Sequence, residues 1–454
     1  MHDEAIAMNR FGLGVRPDEA LPPAPRRWLL SQFEAYEARP AAWQGLGSTA
    51  SRVRDFAAHQ RALRQAPESE REALRADWRR TEREAYLAGA GVRATLALQT
   101  PAPFVERLVH FWSNHFAVSV DKVQAMGLVG AFEADAIRPQ VLGRFDDLLL
   151  AAVRHPAMLL YLDQVQSTGP DSRAALRRRN RKGLNENLAR EILELHTLGV
   201  RSGYTQGDVT EFARALTGWT LPDAAAKEDA PGEGPASFRF DAAMHEPGRR
   251  TVLGRSYAEG GEDQARAILR DLAVAPATAQ HIATKLARHF VADDPPPALV
   301  RRLAATFRAS GGDLPAVYRE LAAAPEAWTA DALKFKSPWD WAVSSLRALG
   351  RRELPGQQAV NLMNQLGQPV WNPGSPAGFG DVAAAWAAPD ALVRRVEMAQ
   401  RLAAPLGAAI DARALAPRVL PGTLGEPTRK AIASADSPAT ALALLLASPE
   451  FLRR

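Results

Sequence analysis

The densest run of chemically capable side chains in this 454-residue sequence is Asn185-Glu186-Asn187-Leu188-Ala189-Arg190-Glu191-Ile192-Leu193-Glu194-Leu195-His196-Thr197-Leu198-Gly199. Its glutamates, arginine and histidine are residue types that bind metals, hold anions or move protons. Spacing limits the options. At about 100° per residue, Asn187, Glu191 and Glu194 share one stripe, and His196 lies more than a right angle from both glutamates. Helical metal motifs place their ligands at i,i+3 or i,i+4. Glu191 with Glu194, helped by Asn187, meets that requirement, and a shared site with His196 does not. Arg190, on a third stripe with Glu186, is suited to an anionic substrate group.

A second candidate is His115, in the middle of the apolar face formed by Phe104, Leu108, Phe111 and Trp112. A buried imidazole needs a partner for each ring nitrogen. A glutamate from the 185–199 helix would serve, and such a pair orients a general base or a metal-bound histidine. His110 falls on the opposite, polar face and is expected to be solvated. His245 sits in a turn between two strand-like runs. The candidate catalytic residues are therefore His115, Arg190, Glu191 and Glu194. The candidate substrate contacts are Asn114, Glu186, Asn187 and His245. A divalent metal is compatible with this set, and its ligands are unassigned. Each residue also has a plain structural reading: a solvated face for the glutamates, a carboxylate partner for His115, a backbone carbonyl for His196 and a solvated turn for His245.

These residues need helices to position them. Asn185 can cap the start of the focal helix, and Gly199 can end it in the left-handed conformation. Residues 102–117 read as an amphipathic helix. Residues 51–97, rich in Arg, Glu and Ala, read as a charged helical hairpin arm laced by i,i+4 pairs. Thr205 with Asp208 gives a capping-box start to the next helix. Residues 221–236 are expected to form a mobile loop. Phe238-Arg239-Phe240 and Arg250-Thr251-Val252-Leu253 would pair as a small hairpin within 237–254. Further helices are expected at 262–272, 277–290, 297–309, 314–323, 338–348, 389–403 and 438–452. The fold class is mainly α: one large helical domain over 1–454, with the arm and at most one small β-hairpin.

Composition excludes several classes. Without cysteine there are no disulfides, thiolate metal sites or cysteine nucleophiles. A net charge of +5 invites a nucleic-acid reading, but acids and bases are interleaved and no long one-signed face emerges, so nucleic acid is disfavoured. The one dense basic cluster, at 177–182, precedes the focal helix and could clamp an anion. No apolar run approaches the roughly 18 residues of a membrane span. The acidic start Met1-His2-Asp3-Glu4 lacks a signal-peptide core, so a cytoplasmic location is expected. No nucleophile elbow, phosphate loop, His-Glu-x-x-His or EF-hand motif occurs.

Several segments together resemble the bacterial family known as domain of unknown function 1800. They are Asn9-Arg10-Phe11-Gly12, Phe111-Trp112-Ser113-Asn114-His115-Phe116 and His155-Pro156-Ala157-Met158-Leu159. The focal run through Val200 follows, then Tyr204-Thr205, Ala213-Arg214-Ala215-Leu216-Thr217-Gly218-Trp219, the His245 region, Lys285-Leu286 and Ala447-Ser448-Pro449-Glu450-Phe451. The resemblance covers essentially the whole chain. It implies a largely helical fold and brings no settled activity. Members are often exported and often encoded beside a sulfatase-like protein, which is the partner the resemblance implies. Their turn at His245 tends to read His-Asp; His245-Glu246 keeps the carboxylate and lengthens it.

Two functions of different class remain open. One is an enzyme, metal-assisted or not, with its site at His115 and the focal glutamates. The other is a non-catalytic partner or scaffold whose polar residues form a structural network. Anionic-polymer binding through 177–182 is a third.

Overall fold

The structure, a computed structural model, describes residues 3–177, 183–222 and 237–454. These are mainly helical, with two small two-stranded antiparallel sheets. The basic cluster beyond Arg177 and residues 223–236 of the expected loop lie outside the described residues.

The charged arm is a helical hairpin, Thr49–Gln65 and Glu68–Gln99, broken at Pro67. Its outer part carries exposed pairs, such as Arg80 with Asp77 and Glu84, which solvent screens so that they add little to stability. Towards its C-terminus the longer helix turns apolar. Ala90, Ala94, Ala97 and Leu98 enter the core there, and they carry Arg93 in with them.

The Pro103–His115 helix crosses this core, and its environment corrects the expected polar face. Every residue of the helix except Asn114 is buried. Glu106 accepts from both terminal nitrogens of Arg138 at 2.8 Å, and Arg107 donates to Asp340 at 2.9 Å. His110, expected in solvent, is buried and accepts the Trp339 indole N–H at 3.2 Å. The face is polar because it meets other buried charges, and burying each of these without a partner would be costly.

The β-structure is also rearranged. Arg239–Phe240 pairs with Trp219–Thr220, and Arg250–Val252 pairs with Arg255–Tyr257. The second pair is closed by Leu253 and Gly254, both at positive φ, the two-residue turn that matches strand twist. This local closure takes the partner edge that the expected hairpin across 237–254 required. No helix among the described residues is long and apolar enough to cross a membrane.

Candidate active site

The focal run becomes helical at Asn187, with Glu186 and not the expected Asn185 at the N-cap, and then departs from a regular helix. The Asn185 side-chain oxygen accepts the Asn187 N–H at 2.9 Å, and Gly199 has a φ of +94°. Asn187–Glu191 is α-helical, but Ile192–His196 is a π turn, so an angular argument built on 100° per residue stops at Glu191. The Thr197 hydroxyl donates to the Ile192 carbonyl at 2.6 Å. The last carbonyls of a helix lack partners within it. Here two are satisfied by imidazoles from other helices: His281 Nε2 donates to Leu195 and His115 Nε2 to His196, each at 3.1 Å.

His115 therefore meets the backbone of the focal helix and not one of its glutamates. The ring of His196 is fully buried, with both nitrogens unpartnered. The glutamates lie on the other side. Glu186 accepts from Thr210 and Gln206 at 2.7 Å and from Arg190 at 3.1 Å. Arg190 also donates to Gln206 at 2.9 Å. Glu194 accepts from the Tyr204 hydroxyl at 3.1 Å. Glu191 is half-buried, and burial followed by the charge of Glu194 pushes its carboxyl upward. Asn187 is exposed. His245 donates from Nδ1 to the Thr217 carbonyl at 2.9 Å and packs against Phe240.

A cavity of about 370 Å³ is lined by none of this network's residues, and of the eight sequence candidates only His115 and Asn114 line it. The arm supplies Arg93, and the Pro103–His115 helix supplies His110, Phe111 and His115. The Pro276–Phe290 helix adds Lys285, Arg288 and His289. Trp339 and Asp340 open the Pro338–Ala348 helix, and residues 368–382 close the far wall. Asn114 serves as a clamp. Its amide donates to the Phe379 carbonyl at 2.9 Å and accepts the Phe379 N–H at 2.7 Å. Gly378, at φ +80°, is pressed against Asn114 so closely that a Cβ would lie 2.3 Å from its carbonyl oxygen, which only glycine avoids. Exposed Ala377 and Gly380 flank this clamp, so the cavity meets solvent there.

The charges of the lining divide into paired and unpaired. Asp340 faces Arg107 at 2.9 Å and Arg454 at 3.2 Å, and these cations hold it far below the carboxylate range despite its burial. Asp381 accepts from His289 Nδ1 at 2.7 Å and lies 3.6 Å from Lys334. Burial would raise its carboxyl, but these neighbours, His289 foremost, bring it down to about 2. Arg93 pairs with buried Glu133 at 3.2 Å, between the rings of Trp339 and Trp371. Lys285 and Arg288 have no carboxylate partner among the described residues; Arg288 Nε donates to the Asp293 carbonyl at 3.1 Å.

Two imidazoles complete the lining chemistry. Ionised Asp381 can only accept, so the proton between it and His289 belongs to Nδ1. That leaves a lone pair on His289 Nε2, which has no partner. Burial outweighs the pull of Asp381 and lowers the pKa of His289, favouring its neutral form. His115 likewise keeps a free lone pair on Nδ1. An oriented neutral imidazole with one free nitrogen is the arrangement of a general base. Among the described residues, no group of three or more His, Asp or Glu could hold a metal ion.

The model of a family described as a protein of unknown function, DUF1800, matches residues 6–453. The chain belongs to the DUF1800 family. No curated protein and no solved structure matches it. Three of the segments that carry the DUF1800 resemblance bear on the cavity. Residues 111–116 and Lys285 contribute to its wall, and the 185–200 run braces that wall through two carbonyls. Sequence reasoning passed over His289, Arg288, Asp381 and Asp340 in this DUF1800 chain. A signal was present for the first two: His281, Lys285, Arg288 and His289 fall at i, i+4, i+7 and i+8, one face of an expected helix. Asp340 and Asp381 are distant in sequence, and nothing local marks them.

Proposed function

We propose that this protein is an enzyme whose cavity binds a small organic anion and transfers a proton at His289. The observation that carries the reading is the imbalance of the lining. Both of its carboxylates are committed to cations, while Lys285 and Arg288 have no carboxylate partner among the described residues. A concave site with apolar walls and surplus positive charge selects an anion. Phe111, Trp339 and Trp371 offer flat surfaces for its carbon skeleton. Arg288 supplies a permanent cation with paired donors suited to a carboxylate or phosphate. His289 Nε2 supplies the base, with Asp381 stabilising the imidazolium that forms.

The test uses the full chain and a panel of ring-bearing carboxylates and phosphate monoesters. Binding is read by thermal shift, and proton transfer by deuterium uptake from solvent into the anion. At least one member of the panel should raise the melting temperature of the wild type and lose that effect in Arg288→Met. His289→Gln should retain binding and lose deuterium uptake. If no anion distinguishes wild type from Arg288→Met, the anion-site reading falls. If His289→Gln exchanges as fast as wild type, His289 is not the base.

A further inference from the structure

Lys285 is the only lysine among the residues lining the cavity, and its situation differs from that of the other inward-facing lysines. Lys334 is held by Asp293 at 2.5 Å and donates to the Asp381 carbonyl at 2.7 Å. Lys336 donates to the Ser344 hydroxyl at 3.0 Å and does not reach the cavity. Lys285 has no hydrogen-bond acceptor and no carboxylate among the described residues. The acid that acts on it electrostatically, Asp381, is engaged by His289 and Lys334. Arg288 follows at i+3 with a permanent charge, and His289 at i+4, on the same helix face. Lys285 also lies within electrostatic reach of His115, His196 and His281, none of which offers it negative charge.

An ammonium in such a place is poorly stabilised, while a neutral amine is tolerated and keeps a free lone pair. Building on the reading of the cavity as an anion-binding active site, we propose that Lys285 is an amine nucleophile that forms a Schiff base with a carbonyl-bearing organic acid of the 2-oxo acid class. Burial first, with Arg288 adding to it against Asp381, brings the Lys285 ammonium down to about 8. A useful share of the amine is then neutral near physiological pH.

The step balances without an oxidant. The lone pair of the Lys285 nitrogen attacks the carbonyl carbon, the N–C bond forms and the C=O π pair moves to oxygen. A proton passes from nitrogen to oxygen by way of His289 Nε2, giving a carbinolamine. A second proton, taken from solvent through His289, goes to the hydroxyl. Water leaves, and the nitrogen lone pair closes the C=N bond. Amine, carbonyl and one proton give iminium and water. Arg288 holds the acid group of the substrate throughout.

The experiment reads each lysine separately by peptide mapping of the intact, folded chain. Trinitrobenzenesulfonate, an aryl anion that reacts only with neutral amines, is applied between pH 6.5 and 10. Lys285 should react with a half-maximal rate near pH 8, about tenfold or more faster at that pH than the exposed Lys430. In parallel, glyoxylate and pyruvate are added with cyanoborohydride. The reduced adduct should map to Lys285 and vanish in Lys285→Arg. If Lys285 stays unmodified while Lys430 reacts, or if adducts scatter over surface lysines, the nucleophile is overturned. When that happens and the thermal shift by anions persists, the anion-site reading stands alone; when the thermal shift is also absent, both fall. Should Lys285→Arg fail to fold, mapping of the wild type still decides.

Discussion

The outer face of the focal helix and the inner face of the Pro276–Phe290 helix are both rich in ionisable groups, mixed in sign on the first and basic on the second, and those groups meet different surroundings. On the outer face, Glu186, Arg190 and Glu194 are answered by Thr210, Gln206 and Tyr204 from the segment that follows in sequence. That network is local, partly exposed and self-contained. On the inner face, Lys285 and Arg288 border a cavity and have no carboxylate partner among the described residues, and His289 keeps one nitrogen free. Charge density alone therefore does not tell a self-paired surface from the lining of a cavity. The lack of a partner for a buried group is the better marker, because such a group is costly unless something else is to fill its place.

The sharpest way to break this comparison is at Asp340. It compensates two buried cations, Arg107 and Arg454. Asp340→Asn leaves both without a counter-charge, and a loss of about 3–5 kcal/mol is expected. Glu186→Gln, in the exposed network, should cost less than about 1 kcal/mol. Urea unfolding at neutral pH measures both. Equal costs would mean that the two faces do not differ in the way their pairing indicates.

A smaller effect separates the two sides of the focal helix itself. His196 is fully buried without a hydrogen-bond partner for either ring nitrogen, and burial, then Lys285, lowers its pKa to about 3. Its folded pKa lies below the unfolded value of 6.5, so the unfolded chain binds the extra proton. The contribution to stability is full above pH 6.5 and is lost progressively as pH falls from 6.5 towards 3. The expected slope is about 1.4 kcal/mol per pH unit for each such histidine. His281, lowered to about 4 chiefly by burial, acts in the same sense over a shorter range. His196→Phe should reduce the slope of unfolding free energy between pH 6.5 and 4 by about one histidine's share. An unchanged slope would show that His196 reaches solvent and protonates freely in the folded state.

These features also show how far the sequence could be read. The helices were legible because their apolar periodicity, their Pro starts and caps such as Thr205 with Asp208 are local. Gly199 and Asn185 do what their residue types suggest. The π turn was not legible: no residue in Ile192–His196 announces it, and it arises where the helix end offers carbonyls to His115 and His281. The polar face of the Pro103–His115 helix was misread for a related reason. Polarity by itself does not tell water from a buried counter-charge, and Arg138 and Asp340 come from other elements. Of the site, His115 was found because a histidine among Phe111 and Trp112 stands out. His289 and Asp381 form their pair across 92 positions, a relation no local pattern encodes.

The smallest expected effect belongs to Glu191, and its sign is diagnostic. Burial and then Glu194 raise the Glu191 carboxyl above its ordinary 4.5, with Arg190 opposing. The folded state thus holds its proton more readily than the unfolded chain. Ionisation weakens the fold as pH rises above 4.5, and the penalty disappears when both states are protonated. Glu191→Gln removes a like-charge neighbour and should stabilise the protein at pH 7 by a few tenths of a kcal/mol. At pH 4 the gain should shrink towards zero. The same substitution should leave the reaction of Lys285 with trinitrobenzenesulfonate unchanged, because Glu191 does not line the cavity. If Glu191→Gln instead costs more than about 1 kcal/mol at pH 7, or alters that labelling, the outer face communicates with the cavity. The two faces would then have to be treated as one site.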